Sequence, residues 1–281
     1  MKPLRNRVRL GIIYPGGAQA EEEYYEFAEE HGNLSIFLVI SRIPEGGGHD
    51  INALLETARI EHLTEAAQRL VKLKPDAVLW ACTSGSFVVG RTGAEQQIRA
   101  IEEMVHAPAS STSLAFVQAL EHLKIKQVAI AATYPSEASE AFKNFLAEFG
   151  IVSLKVRFSG APSGYDASKI PPNKIMELAR SADVPTAEAI LLPDTALHSL
   201  GFIQPLEELL RKPVLTANQV TLWQGLRLAG ETPEQRGLGK LMAQNTKTVL
   251  SIIRERFCKV YGWRGKIGII HSARGGLNQE F

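Results

Sequence analysis

Short apolar runs recur along the chain, and between them the apolar positions fall at three- and four-residue intervals. "VRLGIIY", "LSIFLVI", "DAVLWAC", "QVAIAAT", "VSLKVRF", "AEAILLP" and "KPVLTA" read as strands. Their near-continuous hydrophobicity suits strands buried on both faces, and the amphipathic segments between them supply the covering helices. Helices are expected over 52–73, 94–104, 136–149, 171–180 and 233–261. The last has a good start in "TPEQ", with Thr232 as cap, Pro233 at the first helical position and Gln235 completing a capping box. Its apolar stripe, including Leu238, Leu241, Met242 and Phe257, suits packing on the first domain or on a second subunit, which leaves room for a homo-oligomer. Cys258 falls on that apolar face and is expected in the core.

The pattern repeats. "GIIYPGG" and "IAATYPSE" both close a strand with Tyr-Pro, at Tyr14 and Tyr134; "AVLWACTSG" matches "AILLPDTAL", with Cys82 over Asp194; "APASSTSLAFVQAL" matches "KPVLTANQVTLWQGL" at Gln118 and Gln224. Three landmarks in one order point to a duplicated α/β unit whose halves face each other across a cleft. The expected fold is therefore α/β, two pseudosymmetric Rossmann-like domains with mostly parallel sheets. Crossings near Ala107 and Thr216 assign 1–107 and 217–281 to the first domain, with a helical C-terminal extension, and 108–216 to the second.

Charge narrows the partners. Among 281 residues, 31 Lys and Arg against 30 Asp and Glu give a net charge of +1 and no electrostatic case for nucleic acid. No apolar stretch approaches the roughly 18 residues of a membrane span, and the basic amino terminus carries an apolar run too short for a signal peptide. Two cysteines, Cys82 and Cys258, make no disulfide framework; with no Cys/His cluster there is no metal site to expect, and a cytoplasmic setting fits. Neither GxGxxG after a strand nor GxxxxGK[ST] is present, so no nucleotide cofactor is expected.

Ligands of open α/β sheets bind beyond the carboxyl ends of strands, which directs attention to Tyr14, Ser41, Cys82, Tyr134 and Asp194. Cys82 is followed by Thr83, Ser84, Gly85 and Ser86, where converging N–H groups and hydroxyls favour negative charge: a thiolate, a substrate carboxylate or an enolate. The alternative is a small buried hydrophobe closing a strand. Trp80, two residues earlier, points the same way and either shields the thiol or simply packs. Asp194 has a second reading as the N-cap of a short helix, and His198, four residues on, would share its face there. The histidines otherwise read as surface groups, His49 among them. "EEEYYEFAEEHG" reads as a solvated acidic helix with Tyr24 and Tyr25 partly packed, and "PEGGGHD" as a flexible loop or an active-site lid.

"RLGIIYPGG", "ACTSGSFVVG", "TYPSEASEAFKNFLAEFG" and "LWQGLRLAG", taken together, resemble the maleate isomerase and arylmalonate decarboxylase branch of the aspartate/glutamate racemase superfamily over residues 9–230. The resemblance implies a cofactor-independent active site between two lobes, acting on a small carboxylate through an enolate-like or thiol-adduct intermediate. It implies Cys82 as acid or nucleophile, Thr83, Ser84 and Tyr134 as donors, and a substrate-contacting loop at Tyr14, Gly16 and Gly17. Asp194, with Thr195 after it, stands where the second-half cysteine would fall. A two-thiol racemisation cannot run with one cysteine, so decarboxylase-like or cis–trans isomerase-like chemistry is expected. A carboxylate at Asp194 disfavours an anionic neighbour, which points to substrates carrying an amine or amide, or to Asp194 as acid or base. Alternatives are a Cys-dependent hydrolase of a small amide or cyclic amide using Cys82, Asp194 and His198, and a non-catalytic small-carboxylate binding protein.

Overall fold

The computed structural model describes residues 7–17 and 19–243. Two four-stranded parallel sheets carry the fold. The first holds β1 (Val8–Pro15), β2 (Leu34–Ser41), β3 (Ala77–Trp80) and β4 (Ala109–Ser111) in the order β2-β1-β3-β4. The second holds β5 (Gln127–Ala132), β6 (Val152–Phe158), β7 (Ala189–Leu192) and β8 (Val214–Thr216) in the order β6-β5-β7-β8. The two orders are the same, strand for strand, as a duplicated unit requires. Strand β4 pairs with β3, so the first sheet continues past the crossing expected near Ala107.

Position in the sheet explains the hydrophobic pattern. Every residue of the inner strands β3 and β7 is buried, whereas the edge strand β6 exposes Val152, Leu154 and Phe158. Lys155 and Arg157 on β6 help to blunt that edge. The covering helices are α1 (Glu22–His31), α2 (Ile51–Thr57), α3 (Ile60–Gln68), α4 (Ser84–Phe87), α5 (Gly90–Val105) and α6 (Thr112–Leu123), then α7 (Ser136–Ala147), α8 (Gly164–Ser168), α9 (Pro172–Ala182), α10 (Ile203–Leu210) and α11 (Ala217–Leu228). Helix α11 packs on α6 and across β1, β3 and β4, with Thr112 and Thr221 sharing a 2.7 Å hydroxyl bond.

Three expectations from periodicity are corrected. The helix expected over 52–73 is broken at Ala58: the side-chain amide of Gln97 donates to the Ala58 carbonyl (2.7 Å), and His62 N–H turns to Arg59 instead (3.1 Å). The helix expected from Pro233 does not form through Ala243. There the chain loops back, Gln235 N–H meeting Met242 O (2.9 Å) and Gln219 holding Leu238 O (2.7 Å), so Leu238, Leu241 and Met242 are buried by a tethered loop. The remainder of that helix, with Cys258, lies outside the described residues. A capping box does occur, but at Thr216 and Gln219, where it starts α11. On α1, Tyr24 is fully buried, Tyr25 is exposed, and Glu23 is buried rather than solvated.

Candidate active site

Strand order turns about β1 in one sheet and about β5 in the other, because each of these strands has its successors on opposite sides. Such switch points open crevices at the carboxyl ends of strands. A cavity of about 520 Å³ lies there. Gly16 and Gly17 reach it after β1, Cys82 and Ser84 after β3, Tyr134 after β5, and Asp194 and Thr195 after β7.

The thiol sits in a fixed cradle. Gly85 N–H donates to Cys82 Sγ (3.4 Å), and Ser84 Oγ lies 3.7 Å away. Gly85 can approach because it lacks a side chain: a Cβ there would stand 2.3 Å from the Trp80 ring. Trp80 and Cys82 belong to one buried apolar cluster. Burial pushes the thiol up to about 11, against the Gly85 and Ser84 hydrogen bonds, and the nearby charge of Asp194 adds to the rise. The sulfur is therefore a protonated thiol at neutral pH.

Asp194 is buried and accepts at both oxygens, from Ala196 N–H (2.9 Å) at Oδ1 and from the Thr133 hydroxyl at Oδ2. It closes a turn; the short helix expected after it is not formed. His198 consequently does not share its face. That imidazole is paired with Glu22, half exposed, and does not line the cavity, which removes it from the Cys82–Asp194–His198 arrangement. Tyr134 donates its hydroxyl to Pro193 O (2.6 Å), and its ring packs edge-on with His49 and Phe87. Burial first, then the charges of Asp194 and Cys82, hold this phenol well above its ordinary pKa.

Tyr14, Thr83 and Ser41 do not line the cavity. The Tyr14 hydroxyl donates to Thr195 O (3.1 Å) and accepts from Ala20 N–H (3.0 Å), tying the loop after β1 to the loop after β7. Thr83 is fully buried, its carbonyl accepting from Ser113 Oγ (2.7 Å). Ser41 hydrogen-bonds the Tyr14 carbonyl (3.4 Å).

Periodicity hid His49 and Thr133. His49 is buried, not a surface group: its N–H meets Pro162 O (2.8 Å), Nδ1 contacts Ala161 O (3.0 Å), and its ring borders the cavity. An isolated bridge between Gly48 and Ser163 joins the same two loops. The only sequence signal for either residue was its place at a strand end or in the loop after one. No group of three His, Cys, Asp or Glu among the described residues could hold a metal ion, and no helix among them is long and apolar enough to cross a membrane.

The profile of the family described as arylmalonate decarboxylase matches residues 55–242. Over 191 residues the chain is 28% identical to arylmalonate decarboxylase from Bordetella bronchiseptica, covering 67% of this chain and 80% of that enzyme. It is 24% identical over 183 residues to maleate isomerase from Pseudomonas putida, covering 63% and 73% respectively. A liganded arylmalonate decarboxylase with one Gly-to-Cys and one Cys-to-Ser change superposes with a TM-score of 0.75 at 25% identity, over 84% of this chain and 98% of that one. The fold is likewise that of the Nocardia farcinica maleate cis-trans isomerase solved with a covalent succinylcysteine intermediate: TM-score 0.78, 20% identity, 85% and 99% covered. With its profile matched over more than half its length and its two-sheet fold shared, the chain belongs to the arylmalonate decarboxylase family and is an enzyme of decarboxylase-like or isomerase-like action.

Proposed function

We propose that the protein is a cofactor-independent enzyme that forms an enolate from a small carboxylate, with Cys82 as the proton donor. What carries this reading is the placement of a thiol, protonated at neutral pH, and a carboxylate on one cavity, Cys82 after β3 and Asp194 after β7. In the decarboxylation, the bond between the α-carbon and the departing carboxylate breaks, carbon dioxide leaves, and the electron pair moves into the remaining carbonyl group as an enolate. The Ser84 hydroxyl, on the cavity beside Cys82, is the donor for the developing charge. Cys82 then gives its proton to the α-carbon and recovers one from water.

The electrostatics favour an acid over a resting nucleophile. A thiolate must be populated to attack, and burial beside Asp194 opposes it. The same placement weakens amide hydrolysis, since His198, the base that such chemistry would need, is paired with Glu22. Asp194, held by Thr133, is proposed to orient the substrate and to keep the thiol protonated. We further propose that the enzyme is cytoplasmic and needs no metal.

The test is incubation with a panel of malonates, malonate half-amides and cis-butenedioates in deuterated water, followed by NMR, for the parent and for Cys82→Ala. Carbon dioxide release with deuterium at the α-carbon is expected, falling at least about 100-fold in the variant, the scale of a lost general acid; cis–trans conversion would instead make Cys82 the nucleophile of a thiol adduct. Ammonia release without either change would establish hydrolysis. Binding without any turnover would leave a carboxylate-binding protein.

A further inference from the structure

One wall of the cavity is made of acceptors. Asp166 borders it from α8, with Oδ2 accepting from Ser163 Oγ (2.5 Å) and Oδ1 without a partner among the described residues. His49 stands on the same wall, because its N–H is bonded to Pro162 O (2.8 Å) and the neighbouring Gly48 bridges to Ser163. With Nδ1 facing the Ala161 carbonyl, that nitrogen carries the hydrogen of the neutral ring, and Nε2 is the acceptor, with no partner among the described residues. The residue is 6% exposed and lies on the cavity wall, so Nε2 is the acceptor it offers to a bound donor. Asp194 adds a second carboxylate to the lining, which among the described residues contains neither lysine nor arginine. Lys169 places its ammonium 3.4 Å from the ring centroid of Tyr165, a lining residue, but does not itself line the cavity.

A dicarboxylate would bring two negative charges to a cavity lined by two carboxylates and, among the described residues, by no lysine or arginine. Replacing one substrate carboxylate by a carboxamide keeps the shape, removes one charge and supplies two N–H donors. From this geometry we infer that the wall formed by His49 and Asp166 is a donor-recognising subsite, selecting substrates in which one carboxylate is geminal to a carboxamide, the malonate half-amides, over the corresponding dicarboxylates. The inference rests on the reading of this cavity as the active site. The amide N–H groups meet Asp166 Oδ1 and His49 Nε2, while the remaining carboxylate lies toward Ser84 and Cys82. Loss of that carboxylate leaves an amide enolate, so the chemistry proposed above is unchanged and the product is a monoamide.

The experiment compares phenylmalonate with its monoamide, two ligands of nearly equal size, by calorimetric titration of the full chain, its Asp166→Asn variant and its His49→Phe variant. In the parent the monoamide binds at least about tenfold more tightly, a difference of about 1.4 kcal/mol. Each variant brings the ratio toward one, Asp166→Asn by admitting the dianion and His49→Phe by weakening the monoamide. Asp166 is only partly buried, so its variant keeps the test valid if His49→Phe disturbs folding. Equal or tighter binding of phenylmalonate, binding of neither ligand, or a ratio unchanged in both variants overturns the proposal. Failure of the enzymatic reading shows elsewhere, as absence of turnover across the wider panel, and a parent that turns over phenylmalonate while preferring it defeats only the subsite.

Discussion

Cys82 and Asp194 follow strands of two different sheets and open onto the same cavity, where the charge of the carboxylate helps to hold the proton on the thiol. The relationship separates the two roles a cysteine can have in such a cleft. A sulfur kept protonated is ready to donate; one kept ionised is ready to attack.

Alkylation measures this directly. Iodoacetamide should react with Cys82 slowly near pH 7, with a rate that climbs toward a midpoint of about 11, well above the free-cysteine value of about 8.5. Mass spectrometry after digestion distinguishes Cys82 from Cys258. A midpoint below the free value would show an activated thiolate and reverse the proposed role.

Support for Asp194 comes from Thr133, whose hydroxyl donates to Oδ2. Thr133→Val keeps the shape and removes the donor, so an ionised group loses a hydrogen bond of roughly 1.5–3 kcal/mol. Turnover should fall about tenfold or more while the fold persists. Unchanged turnover with a lowered melting temperature would reduce Asp194 to a turn-forming residue.

The approach of Gly85 to Trp80 is equally open to test. In Gly85→Ala the new methyl group meets ring carbons at 2.3 and 2.6 Å, and overpacking of this kind costs roughly 1–3 kcal/mol. Chemical denaturation should show that loss, and adding Trp80→Leu should recover part of it. A cost of a few tenths of a kcal/mol, with no recovery, would mean that the ring and the helix start are not in tight contact.

Glu23 sets a pH dependence of stability. Its carboxylate accepts from Leu200 N–H and Asn218 Nδ2, both at 2.8 Å, linking α1 to the loop after β7 and to α11. Burial raises its pKa to about 7, more than these hydrogen bonds lower it. Between about pH 4.5 and 7 the folded protein keeps a proton that the unfolded chain has released, so stability falls as pH rises through this window. The loss attributable to Glu23 is on the order of 3 kcal/mol, to be read from urea unfolding at pH 5 and pH 7.5. Glu23→Gln should flatten that part of the slope; an identical slope in the variant would assign it to other groups.

Much was fixed by order along the chain. Buried parallel strands need continuous apolar runs, so seven of the eight strands, the duplication and the strand-end positions of Cys82 and Asp194 could be read from local pattern, whereas β4, the short Ala109–Ser111, carries no such run. Periodicity could not say where a helix ends when its carbonyl is taken from outside, as Gln97 takes that of Ala58. Nor could it show that Tyr14 reaches across to Thr195 rather than to a ligand, or that His49 is buried against Pro162 and Ala161. Those facts depend on which distant backbone groups meet. Hydrogen bonds and burial between residues far apart in the chain leave no period in it, and only the folded arrangement decides them.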